Sequence, residues 1–205
     1  MTRSPHDART SMLDAAEEIA VEVGLGAITL TAVQRRAGQS NKSAAAYHFG
    51  SLDGLLAAVV ARRMEPINAA RAAHLERLAP DAGVAALVDA LVRPFADATL
   101  RAPGSRYARF LAQIQLHPVY GPTTMGLSEA SSLREVQQRI TALLPSSPEL
   151  VLARFAAAAS LMIDTLARWE GQGPPGEDVD LLCADLTAVC TAVLSTPSPM
   201  NGEAR

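Results

Sequence analysis

Apolar residues recur along this chain at three- and four-residue spacing, interrupted by short clusters of turn formers. Met12, Leu13, Ala16, Ile19, Ala20 and Val23 give the i, i+3/i+4, i+7 pattern of an amphipathic helix over residues 8–23. Gly24-Leu25-Gly26 ends it. Thr29 stands where an N-cap hydroxyl is needed for a second helix, Leu30–Ala37, with Leu30, Val33 and Ala37 turned inward and Gly38 as its stop. A short third helix is expected from about Asn41 to His48. Ser51 then caps a long fourth helix, with Asp53 favourably placed in its first turn.

The fourth helix carries Leu52, Leu55, Leu56, Val59, Val60 and Met64 inward and is expected to reach Leu78. Pro66 removes a ladder hydrogen bond there and predicts a kink after Glu65. Beyond Pro80-Asp81 a fifth helix shows Val84, Leu87, Val88, Leu91, Val92 and Phe95, with Pro94 inside it. A sixth covers Ser105–Leu116 and stops at His117-Pro118. A seventh reaches about Leu144, with Leu133, Val136, Ile140 and Leu143 on one face and its start left open around Gly126. Ser147-Pro148-Glu149 has the N-cap serine and first-position proline that open an eighth helix, and the run Gly171–Gly176 closes it. The ninth, about Asp178–Leu194, places Val179, Leu182, Leu186, Val189 and Val193 on one stripe. No segment alternates with period two, so the expected fold is all-α. It comprises about nine helices, with an N-terminal unit over residues 1–50 and a C-terminal unit over residues 51–205.

Composition narrows the picture. A chain of 205 residues, 49% hydrophobic, can bury a substantial core and is not of disordered type. No uninterrupted run of 18 apolar residues is present, so a membrane span is not expected. The start, Met1 to Asp7, lacks the apolar centre of a signal peptide, and a cytoplasmic protein is expected. Cys183 and Cys190 lie about 10 Å apart along one helix. A disulfide requires Cα atoms roughly 4.4–6.8 Å apart, so they cannot bond within that helix. Reduced core cysteines and a redox or interchain role both remain open. No Cys/His cluster has metal-ligand spacing, and no cofactor is expected. No Ser/His/Asp or paired-carboxylate arrangement has workable spacing either, so an enzyme is not expected.

Charge is unevenly spread. Residues 1–63 hold seven basic groups against six acids, and residues 64–205 hold eleven against fifteen. Neither half is basic enough to coat nucleic acid, so any such binding must be local. Lys42, the sole lysine beside seventeen arginines, follows the Gly38-Gln39-Ser40-Asn41 turn and precedes Ala44, Ala45 and Ala46. Short helices separated by a tight turn, then a long one, make a helix-turn-helix, whose second element enters the major groove. Lys42 then stands where a cation reaches guanine O6/N7 or a phosphate. Asn41 could cap the helix or read adenine, and Ser43, Gln39 and Ser40 could bond phosphates or bases. The three alanines are small enough for close approach of the backbone. The alternative is an exposed lysine beside an ordinary turn.

The residues Thr10, Ala15-Ala16, Ile19-Ala20, Gly24, Thr29-Leu30-Thr31, Ala37-Gly38, Tyr47-His48-Phe49-Gly50-Ser51 and Leu55-Leu56 resemble the N-terminal domain of TetR-family transcriptional regulators. The resemblance covers residues 9–60. It implies a homodimer that binds a palindromic double-stranded DNA operator and releases it when a small molecule occupies the C-terminal domain. Thr29, Thr31 and Ser51 become candidate phosphate ligands, with Tyr47 and His48 also on the DNA side. Phe49 is expected to pack beneath the motif. Two departures stand out: Ala46 occupies the family's usual tyrosine position, with the ring moved to Tyr47, and Leu52 replaces a phosphate-contacting lysine.

In the C-terminal unit, Ala156, Ser160, Ile163 and Ala167 form a small-residue seam on the eighth helix. With Leu182, Leu186, Val189 and Val193 it suits pairing with a symmetry mate as a four-helix bundle, or packing within one chain. Candidate ligand-lining residues are Phe95, Tyr107, Phe110, Gln113, His117, Met125, Phe155, Met162 and Trp169, an apolar set for an apolar effector. A repressor is the leading expectation. An activator on the same fold, or a helical ligand-binding or adaptor protein without DNA binding, are the alternatives.

Overall fold

Side-chain caps fix where several helices begin. Thr29 Oγ1 accepts from Ala32 N–H at 3.0 Å, Ser51 Oγ from Gly54 N–H at 3.1 Å and Ser147 Oγ from Leu150 N–H at 3.3 Å. Each satisfies a first-turn amide that has no partner within its helix. The structure, a computed structural model, describes residues 5–41, 43–121, 130–173 and 178–197. Along them run α1 (Pro5–Glu22), a 3-10 turn (Leu25–Ala27), α2 (Leu30–Arg36), α3 (Ala44–Phe49) and α4 (Leu52–Glu76). These are followed by α5 (Val84–Thr99), α6 (Tyr107–Gln115), α7 (Ser131–Leu143), α8 (Pro148–Gln172) and α9 (Val179–Ser195). The fold is all-α, with no strand among the described residues.

Helices α1 and α3 pack on α4 and α2 packs on both of them, while α5 and α7 pack against α4, α8 lies against α6 and α9, and α9 lies against α5. A single apolar core runs through both regions, from Met12 and Leu13 through Leu55, Leu56 and Phe95 to Phe110, Ile140 and Leu166. Cys183 and Cys190 are free thiols inside it. Burial pushes the Cys190 thiol up to about 11, so it stays protonated at neutral pH and unreactive.

Several expectations are corrected. Val23 is 68% exposed, because α1 ends at Glu22 and the chain turns away before Val23 can face the core. Leu143, in the last turn of α7, is also exposed. Helix α3 begins at Ala44 rather than Asn41, and α4 ends at Glu76. As expected, Pro66 and Pro94 lie inside α4 and α5, each of which continues past its proline.

The junction of the two regions is polar but paired. Glu17, 2% exposed, accepts from Arg62 Nη2 at 2.9 Å and from Arg63 Nε and Nη2 at 2.8 and 2.7 Å, tying α1 to α4. Gln113 ties α6 to the same helix: its Nε2 donates to Ala20 O at 2.7 Å and its Oε1 accepts from Leu25 N–H at 2.9 Å. Removing the carboxylate takes from the half-buried Arg63 the group that all its hydrogen bonds reach, and leaves Arg62 with Asp14 and the Thr10 carbonyl. Glu17→Ala should therefore lower unfolding free energy by about 3 kcal/mol, read as a lower urea midpoint, with Glu17→Gln less affected.

Candidate nucleic-acid interface and ligand cavity

The turn between α2 and α3 is held from beneath. Gly38 takes φ +66°, a left-handed conformation that favours glycine, and Gln39 N–H returns to Gln34 O at 2.9 Å. The buried Gln34 side chain donates through Nε2 to Asn41 O at 2.8 Å. Asn41 Oδ1 accepts from Ser43 N–H and Ser43 Oγ–H, both at 3.0 Å. Reading adenine needs that oxygen as an acceptor. Of the two roles open to Asn41, the structure shows the one that organises the start of α3. Lys42 lies outside the described residues.

On α3 itself the faces are unequal. Ala44 and Ala45 are buried, so the Ala44 methyl packs in the core and does not face a groove. Tyr47 is 84% exposed, with the half-buried His48 ring edge-on to it at 5.2 Å. Phe49 is half-buried against the core beneath the Arg9 guanidinium, 5.5 Å from the ring centroid. Thr29, Thr31, Ser40, Asn41, Ser43 and Ser51 are exposed and Gln39 is half-buried. The capping hydroxyls of Thr29 and Ser51 use a lone pair, which leaves each O–H able to donate to a phosphate. Two features escaped the sequence reading. Arg35, exposed in the last turn of α2, has no ion pair among the described residues, whereas Arg36 is held by Glu22 at 2.7 Å. A methyl at Gly54 would run into the Phe49 carbonyl, so the α3–α4 corner requires glycine there.

A cavity of about 380 Å³ lies among α4, α5, α6, α7 and α8. Phe95, Phe155 and Met162 line it as expected. Tyr107, Phe110, Gln113, His117 and Trp169 do not. Tyr107 and Phe110 are stacked at 6.4 Å within the core, and Gln113 is committed to α1 and the 3-10 turn. His117 Nδ1 accepts from Val119 and Tyr120 N–H groups, closing the end of α6. Trp169 borders a separate groove near Thr99 and Arg106. Met125 lies outside the described residues.

The cavity also has Met64, Leu91, Leu133, Gln137 and, at one wall, Arg71. Arg71 is 3% exposed, and its Nη1 donates to Asn68 Oδ1 at 2.7 Å. Its Nε has no partner. Burial lowers its pKa to about 10, which still leaves the guanidinium charged at neutral pH. Ser132 Oγ–H, at the start of α7, donates to Asn68 O at 3.4 Å.

No family model and no curated protein matches this sequence. Among solved structures, the chain is similar to the TetR family transcriptional regulator PfmR from Thermus thermophilus. The likeness has a TM-score of 0.54 and 18% identity, and covers 97% of this chain and 99% of that one. The chain has the TetR-type fold.

Within that TetR-type fold, part of the expected pairing seam faces inward. Ile163, Ala167 and Leu186 are buried inside the chain, Ile163 in the cavity wall, so none is free to meet a second chain. Ala156 and Val189 are exposed, and Ser160, Leu182 and Val193 are half-buried. The outward stripe holds Ala153 and Ala157 on α8 with Leu181, Ala184, Ala188 and Ala192 on α9. By length and composition alone α8 could cross a membrane: its mean hydropathy reaches 1.7 over an 18-residue window, a third of which is buried.

The shape of the turn rests on one buried amide. Gln34→Ala should cost about 1–2 kcal/mol by leaving Asn41 O short of a partner, and should speed hydrogen exchange at the Gln39 and Ala44 amides.

Proposed function

We propose that the protein is a DNA-binding transcriptional regulator, most simply a repressor, that grips a pseudo-palindromic operator as a homodimer and releases it on binding a small effector. The observation that carries this reading is the α2-turn-α3 unit. Its inner face is packed by Ala44, Ala45 and Phe49, and its outer rim offers Thr29, Thr31, Ser40, Ser43 and Tyr47 to solvent. Residues 1–50 act as the DNA-reading unit and residues 51–205 as the sensing and pairing unit. Backbone phosphates are met by the hydroxyls of Thr29, Thr31 and Ser51, while the groove is assigned to the exposed Tyr47 and to Lys42. Arg35 adds a cation beside the turn.

Pairing supplies what the single chain lacks. The apolar outward stripe of α8 and α9 would be covered by the same stripe of a second copy, which accounts for an apolar α8 without a membrane. The 380 Å³ cavity is of the size that small-molecule sites take. It borders α4, and α4 is fastened to α1 through Glu17. Occupancy of the cavity would therefore be felt at α3, in a protein of the cytoplasm.

Selection of bound duplexes from a random pool should enrich two inverted half-sites centred about 10 base pairs, or a multiple, apart. Enrichment of no sequence at low salt would remove the DNA-binding reading and favour a ligand-binding or adaptor protein. Ala188→Glu, on the outward stripe, should raise the dimer dissociation constant at least about tenfold, roughly 1.4 kcal/mol, in sedimentation equilibrium. A monomeric wild-type chain that also stays monomeric on DNA would contradict the pairing.

A further inference from the structure

Arg71 is a buried charged group whose placement the packing around it does not explain. It continues the buried stripe Val60, Met64, Ile67, Arg71, Leu75 of α4, at a position where an apolar side chain would serve packing better. A buried guanidinium is costly unless it is paired and fully hydrogen-bonded. Two buried carboxylates of the chain meet that condition: Glu17 is bound by two arginines, and Glu170 accepts from Ser105 Oγ–H, Ala108 N–H and Arg109 N–H. Arg71 is bonded only to the neutral amide of Asn68 and has no carboxylate partner among the described residues. Its Nε is buried and unpaired, and Nη2 makes no hydrogen bond among the described residues.

We propose that the cavity takes an organic monoanion, an apolar body ending in one carboxylate, with Arg71 as the counter-ion that receives the carboxylate. The Nε–Nη2 edge of a guanidinium presents two parallel N–H donors, which match the two oxygens of a carboxylate. One positive charge balances one negative charge, so a carboxylate leaves the cavity neutral. Phe95, Phe155, Met162 and Leu91 supply the apolar surroundings for the remainder. A volume of 380 Å³ holds roughly a dozen non-hydrogen atoms at about 30 Å³ each. That is the size of a medium-chain or aromatic acid. Arg134, also on the lining, is exposed and stays solvated, so it sets no comparable demand for a counter-ion.

This inference rests on the reading of the cavity as a ligand site, and its test separates the two. Decanoate and the neutral 1-decanol are titrated calorimetrically into the full chain, its Arg71→Met variant and its Arg134→Met variant. Wild type should prefer decanoate to decanol at least tenfold, Arg71→Met should lose that preference, and Arg134→Met should keep most of it. The ligand-free Arg71→Met variant should melt no lower than wild type, since methionine fills the site without a charge; this shows that a lost preference is not lost folding. Equal binding of decanol and decanoate to wild type overturns the Arg71 assignment but leaves the cavity as an apolar ligand site. Undiminished preference in Arg71→Met, or loss of it in Arg134→Met alone, overturns the assignment as well. Binding of neither probe to wild type overturns both the assignment and the ligand-site reading.

Discussion

A carboxylate sealed from water must be met by positive charge, and at Glu17 that requirement fixes how the molecule is joined. Arg62 and Arg63 are consecutive on α4, and both reach the same buried group on α1. Helix α1 therefore cannot slide or rotate on α4 without stranding a charge. Gln113 adds a second attachment from α6, using both ends of its amide on backbone groups around Ala20 and Leu25. With Arg106 also 3.7 Å from Glu18, the N-terminal helices are held by α4 and α6 together.

That arrangement gives the cavity a mechanical route outward. Met64 and Arg71 lie on its wall, on the same helix that carries Arg62 and Arg63. Leu111 on α6 lines it too, close in sequence to Gln113. Both helices that fasten α1 thus border the space a ligand would fill. A packed interior responds to such filling by shifting rigid elements rather than by deforming smoothly.

Much of this organisation was legible before the fold was known. The caps at Thr29, Ser51 and Ser147 were readable because a hydroxyl followed by an apolar helical period has a local cause. The pairing seam was less legible. Residues such as Ile163, Ala167 and Leu186 keep a helical period whether they face a neighbour in the same chain or a second copy, and tertiary packing put these three inside. Aromatic residues misled for a similar reason: Tyr107 and Phe110 are large and apolar, which suits a core as well as a cavity. Arg71 was missed because an arginine among alanines reads as a solvated face. Counting from Val60 through Met64 and Ile67 places it on the buried stripe instead, so the signal was present as register. The role of Gln113 had no local signature at all, since its partners lie about ninety residues away.

The central claim is that filling the cavity moves α3. It is tested most directly by pulsed electron paramagnetic resonance on the proposed dimer carrying a spin label at Ser40→Cys, in the exposed turn before α3, with the buried native thiols left in place. Distances between the two labels are recorded in the free protein and with saturating decanoate. The account predicts a distribution whose maximum shifts by at least about 2 Å on ligand binding, as helix shifts of this type require. Identical distributions, under conditions where calorimetry shows the site to be full, would contradict it.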